Sequence, residues 1–516
     1  MTPTSSQLPD DIAELKKIIG QLQDEIQFLR EQSNLARRRQ FAASSEKSAD
    51  QLELIFNEAE AIEALEELTD DACAEADAAT IIEATETPNK SSANKKPGRK
   101  PLPASLPREE RLIDITEEQK ICPCCQGALH RVGEERSEQL EYIPASIKVI
   151  ETVRPKYTCR HCEKTAEVTS FVIAPVPCSP IPKSMATASL LAQIICNKYQ
   201  FGLPLYRQVT LFQQSGIDID RRSMANWMIK CADWFERITD AFKNHLLQQI
   251  AIHADETPIK VIDEEREKSY MWVYCSGADS PNANSSIKNI VLYDFQPSRA
   301  AACPKAFLQD YTGYLQVDGY AAYEQTQAKL VGCFAHARRK FMDAQSVQPK
   351  GKIGKADWAL NHIQKLYAIE RQLADKSPAK RYALRQEKSA PLLAQLKSWL
   401  DKSSHEVPPK SAIGAAIFYC LNQWDKLAAY VQDGHVQIDN NRAERAIKPF
   451  VIGRKNWLFS ATNRGAKASA ILYSVIETAK ANGVEPLHYI HKLLDELPRR
   501  TADDSIEDLM PWAVVG

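Results

Sequence analysis

Along residues 12–29 the apolar positions Ile12, Leu15, Ile19, Leu22, Ile26 and Leu29 fall at spacings of 3, 4, 3, 4 and 3. This is a heptad seam with isoleucine at every a position and leucine at every d position, a choice that favours a parallel two-stranded coiled coil over residues 1–40. The seam is just under three heptads long, so one amphipathic helix packed on its own chain is the competing reading. Arg37, Arg38 and Arg39 follow it. The pattern then fades. Between Glu46 and Glu86 there are 14 acidic residues and a single base, Lys47, while Leu52, Ile55 and Phe56 offer little to bury. That composition predicts a solvated linker.

Helical spacing returns at 186–199 and 204–214, the second stretch opened by Pro204 and broken by Ser215 and Gly216. A third helix begins near Arg221-Arg222-Ser223 and runs through Trp227 and Trp234. Residues 183–240 therefore read as a helix-turn-helix-like segment that would present Arg221 and Arg222 to a major groove. An ordinary helical bundle joining the flanking domains is the alternative.

From residue 249 the period changes to two. Gln249–Ala254 alternates as a strand ending at Asp255, and Ser269–Cys275 and Asn289–Phe295 follow as strands. Arg299–Leu308 reads as a helix, Tyr314–Val317 as a strand ending at Asp318, Tyr320–Ala328 as a helix and Leu330–Ala335 as a fifth strand. Three strands, helix, strand, helix, strand is the order of an RNase H-like α/β domain, placed at 245–485. Helical spacing interrupts it at Trp358, Leu360, Ile363 and Leu366, then at Leu392, Leu393, Leu396 and Leu400, which predicts a helical insertion at about 345–430. Residues 486–516 read as a helical tail. The fold class is thus multidomain, α+β and α.

Composition narrows the function. A chain of 516 residues is too long for one core, and no apolar run approaches the ~18 residues of a membrane helix. The N-terminus lacks a signal-peptide pattern. Thirteen cysteines are too sparse for a disulfide scaffold, so the expected compartment is the reducing cytoplasm, with nucleoid association. Net charge is −2, but residues 1–89 hold 20 acidic and 7 basic side chains while residues 90–516 hold 47 and 58. A basic body suits a polyanion such as double-stranded DNA. The linker at 41–104 itself turns basic from Lys90, and Gly98-Arg99-Lys100-Pro101 reads either as a degenerate AT-hook with Arg99 in the minor groove or as a plain basic connector.

Cys122-Pro-Cys-Cys125 is followed after 33 residues by Cys159-Arg-His-Cys162. Two CxxC turns each aim a pair of thiolates at one point and together close a tetrahedron around Zn²⁺. Gln139–Ile143 and Ile147–Val153 read as strands between them, separated at Pro144. Residues 105–175 are therefore expected to be a zinc ribbon, with Cys122, Cys125, Cys159 and Cys162 holding one structural ion. Cys124, His130 and His161 are spare ligand types.

In an RNase H-like sheet the first and fourth strands are neighbours, so Asp255 and Asp318 would stand side by side and share a divalent cation. Glu444 in Asp439-Asn-Asn-Arg-Ala-Glu444-Arg-Ala-Ile-Lys-Pro449 is the candidate third carboxylate for a site with two Mg²⁺ or Mn²⁺ ions. Asp439 or Asn440 can cap its helix, and Pro449 is expected to end it. Lys448 lies one turn beyond Glu444, and Gly453-Arg454-Lys455-Asn456-Trp457 adds cations and a stacking ring.

Taken with Gly332-Cys333-Phe334-Ala335-His336-Ala337-Arg338-Arg339, these motifs resemble, over essentially the whole chain, the transposases of the IS66 family of bacterial insertion sequences. The resemblance implies a catalytic triad of Asp255, Asp318 and Glu444, a zinc finger, an N-terminal zipper supporting a homodimer or higher oligomer, and accessory proteins from the same mobile element. His336 is expected near the active site, and Arg338 and Arg339 at phosphates. Many such enzymes carry Lys or Arg seven residues after the glutamate, where this chain has Val451. Lys448, Arg454 or Lys455 must then contact the DNA end. Two other classes compete: a non-catalytic zinc-dependent DNA-binding regulator, and a host nuclease of RNase H type.

Overall fold

The structure is a computed structural model that describes residues 22, 25, 26, 29, 30, 147–158 and 171–514, apart from 265–267, 282–286 and 349–353. The four zinc-motif cysteines, Arg99 and Gln139–Ile143 lie outside the described residues, as does most of the heptad seam. Its Leu22, Ile26 and Leu29 are helical and exposed. The chain divides into two units, 46–175 and 176–516 with 1–45.

In the smaller unit, β1 (Lys156–Thr158) pairs antiparallel with β2 (Phe171–Ile173). Residues 147–153, expected as a strand, form no ladder, and Val149 is 95% exposed. β-Branched residues favour a strand only where neighbours cover them, and among the described residues the pairing goes to the segment just after them.

The larger unit is built on five strands: β3 (Ala251–Ile259), β4 (Ser269–Ser276), β5 (Ile290–Gln296), β6 (Tyr314–Gln316) and β7 (Lys329–Val331). Their order across the sheet is β5-β4-β3-β6-β7. The first three pair antiparallel, as hairpin-linked strands do, and β3–β6 and β6–β7 are parallel.

Three helices precede the sheet: α1 (Ala188–Tyr199), α2 (Leu205–Gln214) and α3 (Arg221–Leu247). Asp220 caps α3 by accepting from the Ser223 amide at 2.9 Å. Met224, Met228, Cys231, Phe235, Ile238, Phe242 and Leu246 then form a stripe at helical spacing that is buried in the same hydrophobic cluster as the sheet. Arg221 and Arg222 are exposed at the start of α3.

The crossover from β5 to β6 carries α4 (Ala302–Leu308), which starts three residues later than expected. Arg299 is drawn instead to Glu256, and the Ser298 hydroxyl accepts from the Ala300 amide. The helix expected at 320–328 is a single 3₁₀ turn, Ala321–Gln325, closed by the Thr326 hydroxyl donating to the Tyr323 carbonyl at 2.7 Å. The fifth strand also stops early. Gly332 donates to the Lys426 carbonyl and Phe334 to that of Ile438, so backbone groups leave the ladder and α5 (Phe334–Ser346) begins.

A second core lies in the insertion, where α5 packs with α6 (Lys355–Leu373), α7 (Ala390–Ser404) and α8 (Ala412–Asn422). Phe334, Phe341, Ile363, Leu366, Leu393, Leu396 and Leu400 are buried there, and Trp358 stacks on Trp399 at 4.5 Å.

The chain returns through α9 (Asn441–Trp457), α10 (Asn463–Ala481) and α11 (Pro486–Glu496). Contrary to expectation, α9 continues through Pro449. A mid-helix proline costs about 3 kcal/mol, but Ala446, Ile447, Phe450 and Gly453 around it are buried, and Tyr293 donates to the Ala446 carbonyl. Packing outweighs the break. Helix α10 lies against β5, whose outer backbone amides donate to helix side chains: Val291 to Thr478 at 3.0 Å and Tyr293 to Ser474 at 2.8 Å. Among the described residues no helix is long and apolar enough to cross a membrane.

Candidate active site

The parallel ladder of β3 and β6 pairs His253 with Gln316. Two residues further along the chain come Asp255, within β3, and Asp318, in the bend just past the end of β6. The Asp255 carboxylate accepts from the Glu256 amide, and that of Asp318 from the Tyr320 amide, each at 2.9 Å. Gly319 between them has φ +102°, a left-handed turn that glycine adopts without a Cβ clash. Burial pushes the Asp255 carboxyl up to about 7, and the charges of Glu256, Asp318 and Glu444 push the same way.

Glu444 comes from the first turn of α9, which packs on β3. The approach is set by Asn440. Its buried amide donates to the Ala254 carbonyl at 2.8 Å, and its Oδ1 lies 3.1 Å from His253 Nδ1. Burial holds that histidine down to about 4, so it is neutral and can donate to Asn440. His336, on α5, places Nε2 3.1 Å from Glu444 Oε1. The His336 contact holds the Glu444 carboxyl below its usual range, and Arg339 and Lys448 act in the same direction against burial.

These groups fit hard divalent cations. Asp255 and Asp318 form no ion pair among the described residues, and no donor other than His336 reaches the solvent-shielded Glu444 Oε1. Oxygen ligands with uncompensated charge are what Mg²⁺ or Mn²⁺ requires.

Residues 183–468 match the family described as "Transposase IS66 family". The chain belongs to the IS66 transposase family. Residues 119–163, spanning all four zinc-motif cysteines, match the zinc-finger binding domain of transposase IS66, which supports a structural zinc. Residues 474–512 match the IS66 C-terminal element, and residues 28–111 match "Transposase C of IS166 homeodomain", beginning where the heptad seam ends. Among relatives, the uncharacterized protein y4jD of Sinorhizobium fredii is 33% identical over 423 residues, 80% of this chain and 81% of its own length. The uncharacterized protein y4hP of the same organism is 32% identical over 495 residues, covering 91% and 85%.

The basic residues of this IS66 protein divide by what they touch. Arg339 and Lys448 bear on Glu444, with Arg339 exposed and Lys448 half-buried. Arg338 is half-buried on α5, and Lys455 is exposed near the end of α9. Arg454 instead turns back onto β3, donating to the Thr257 hydroxyl at 3.2 Å and to the Pro258 carbonyl. Trp457, expected as a stacking surface, packs edge-on against Tyr199 at 6.3 Å. Arg442 and Arg445 both bind Asp279, at 2.6 and 2.5 Å.

A supporting network escaped the sequence reading. Glu256, on the opposite face of β3 from Asp255, accepts from Arg299 and, at 2.7 Å, from the Tyr323 hydroxyl. Arg299 lies 3.7 Å from the centroid of the Tyr320 ring, and Tyr320 donates to the Arg299 carbonyl. The network ties the Asp318 turn to the strand of Asp255. Its one sequence signal is a glutamate in a buried strand, which demands a cation somewhere.

Proposed function

We propose that this protein is the DNA-cutting and DNA-joining enzyme of its mobile element, with Asp255, Asp318 and Glu444 as metal ligands in an RNase H-like domain. The carrying observation is that the parallel β3–β6 ladder runs to His253 and Gln316, two residues before Asp255 and Asp318, with Asp318 and Glu444 both bearing electrostatically on Asp255. The strand order β5-β4-β3-β6-β7 supports the fold assignment. When bound, two Mg²⁺ or Mn²⁺ ions supply Lewis-acid activation of water for cleavage and of a 3′-hydroxyl for strand transfer. His336 orients Glu444, while Arg339 and Lys448 meet the phosphate of the DNA end. Cys122, Cys125, Cys159 and Cys162 hold one structural Zn²⁺ in a DNA-binding ribbon, and the N-terminal seam pairs chains so that two DNA ends are processed together, with accessory proteins of the element as further partners.

The test is strand transfer of a labelled element end by the purified full chain with Mg²⁺ or Mn²⁺. Joined product is expected. End binding without cleavage under either cation would favour the non-catalytic regulator, and cleavage without end specificity would favour the host nuclease.

A further inference from the structure

We propose that Cys333, His336 and Glu444 form a second transition-metal site that takes a borderline cation such as Zn²⁺. Cys333 immediately precedes α5 and His336 lies in its first turn, so the C-x-x-H spacing turns a sulfur and an imidazole towards one point; Glu444 arrives there from α9. One ligand atom of each lies within 4.8 Å of the others. The His336–Glu444 edge, 3.1 Å, compares with about 3.3 Å between ligand atoms at tetrahedral angles on bonds of about 2.0 Å. Sulfur and imidazole select zinc over magnesium.

The surroundings of the sulfur support this. Cys333 Sγ accepts the Asn440 backbone amide at 3.2 Å. An amide aimed at the sulfur favours a thiolate over a thiol. Burial still pushes the metal-free thiol up to about 12, so binding must release its proton. Three protein ligands leave a fourth position for water or a phosphate oxygen.

One consequence follows for the proposed catalysis, and it alone rests on that reading. Glu444 cannot serve zinc and the Asp255–Asp318 cations at once, so zinc at this site would inhibit strand transfer.

The experiment loads the full-length protein with Co²⁺, removes excess ion, and measures cobalt per chain with the sulfur–cobalt charge-transfer band. Wild type should hold one equivalent more than His336→Ala and one more than Cys333→Ala. His336 is half-exposed, so its variant guards against a folding defect at the buried cysteine. Equal cobalt content in wild type and His336→Ala would overturn the site. In a second arm, Zn²⁺ added over Mg²⁺ should lower strand transfer at least ten-fold in wild type, with Cys333→Ala needing at least ten-fold more zinc for the same loss. Equal zinc sensitivity would overturn the inhibitory role while leaving the cobalt result to decide the site, and a protein inactive under all conditions would count against the proposed catalysis alone.

Discussion

The two sides of the candidate site are held in different ways. Asp255 stands within β3 and Asp318 just past the end of β6, so the backbone ladder that pairs His253 with Gln316 brings the two segments together two residues before them. Glu444 stands on a helix whose approach to that sheet depends on one buried side chain, Asn440, reaching Ala254 and His253. The electrostatics are opposed as well. Burial and neighbouring carboxylates raise Asp255, whereas His336, Arg339 and Lys448 lower Glu444. The sheet side stores unfavourable negative charge that a cation would relieve; the helix side is already partly compensated. A site built this way has a rigid half and an adjustable half.

The largest expected effect treats both halves alike. Asp255→Asn, Asp318→Asn and Glu444→Gln should each lower strand transfer by about 10²–10³-fold or more, while gel-shift binding to element ends stays near wild type. Activity above a few per cent in any one variant would remove that residue from the site.

Next comes the joint between the halves. Asn440→Ala should cost about 2–4 kcal/mol in denaturant unfolding, because it strands a buried carbonyl and a buried imidazole. A melting temperature unchanged from wild type would show that α9 is held by packing alone and that Asn440 does not set its approach to the sheet.

The stored charge gives a pH test in metal-free protein. With its folded pKa raised, the protonated Asp255 stabilises the fold fully below about pH 4, and this contribution is lost as pH rises through about 7. Asp255→Asn should therefore melt higher than wild type at about pH 8, with the gap closing towards pH 4. A constant difference across that range would mean that Asp255 is not the group responsible.

The smallest effect lies on the sheet side. Tyr419 on α8 donates to the Asp318 carbonyl at 3.1 Å, and Tyr419→Phe should cost only about 0.5–1.5 kcal/mol, since the neighbouring Val317 amide stays bonded to the Val331 carbonyl without it. A loss as large as that of Asn440→Ala would show that the insertion, not the ladder, positions Asp318.

The same asymmetry explains what was legible in the sequence. Strand positions, and with them Asp255 and Asp318, follow from a period of two, which is local. The core of the insertion could be read at Ile363, Leu366, Leu393 and Leu396 for a similar reason. Tertiary partners are not local. The passage of α9 through Pro449 depends on Tyr293, some 150 residues earlier, and the short 3₁₀ turn at 321–325 on hydroxyl bonds that no propensity encodes. Arg454 reads as a free cation until the Pro258 carbonyl is seen beside it. The role of Asn440 was hidden because asparagine before a helix is explained well enough as a cap.

The cover that α10 provides over β5 has a consequence for how the protein is made. The amides of Val291 and Tyr293 wait for Thr478 and Ser474, which lie 187 and 181 residues downstream. At translation rates of about 5–20 residues per second, an unprotected strand edge is exposed on the nascent chain for roughly 10–40 s. Any copy of the gene truncated shortly before Ser474 would retain Asp255, Asp318 and Glu444 yet leave that edge permanently open to pairing with other chains.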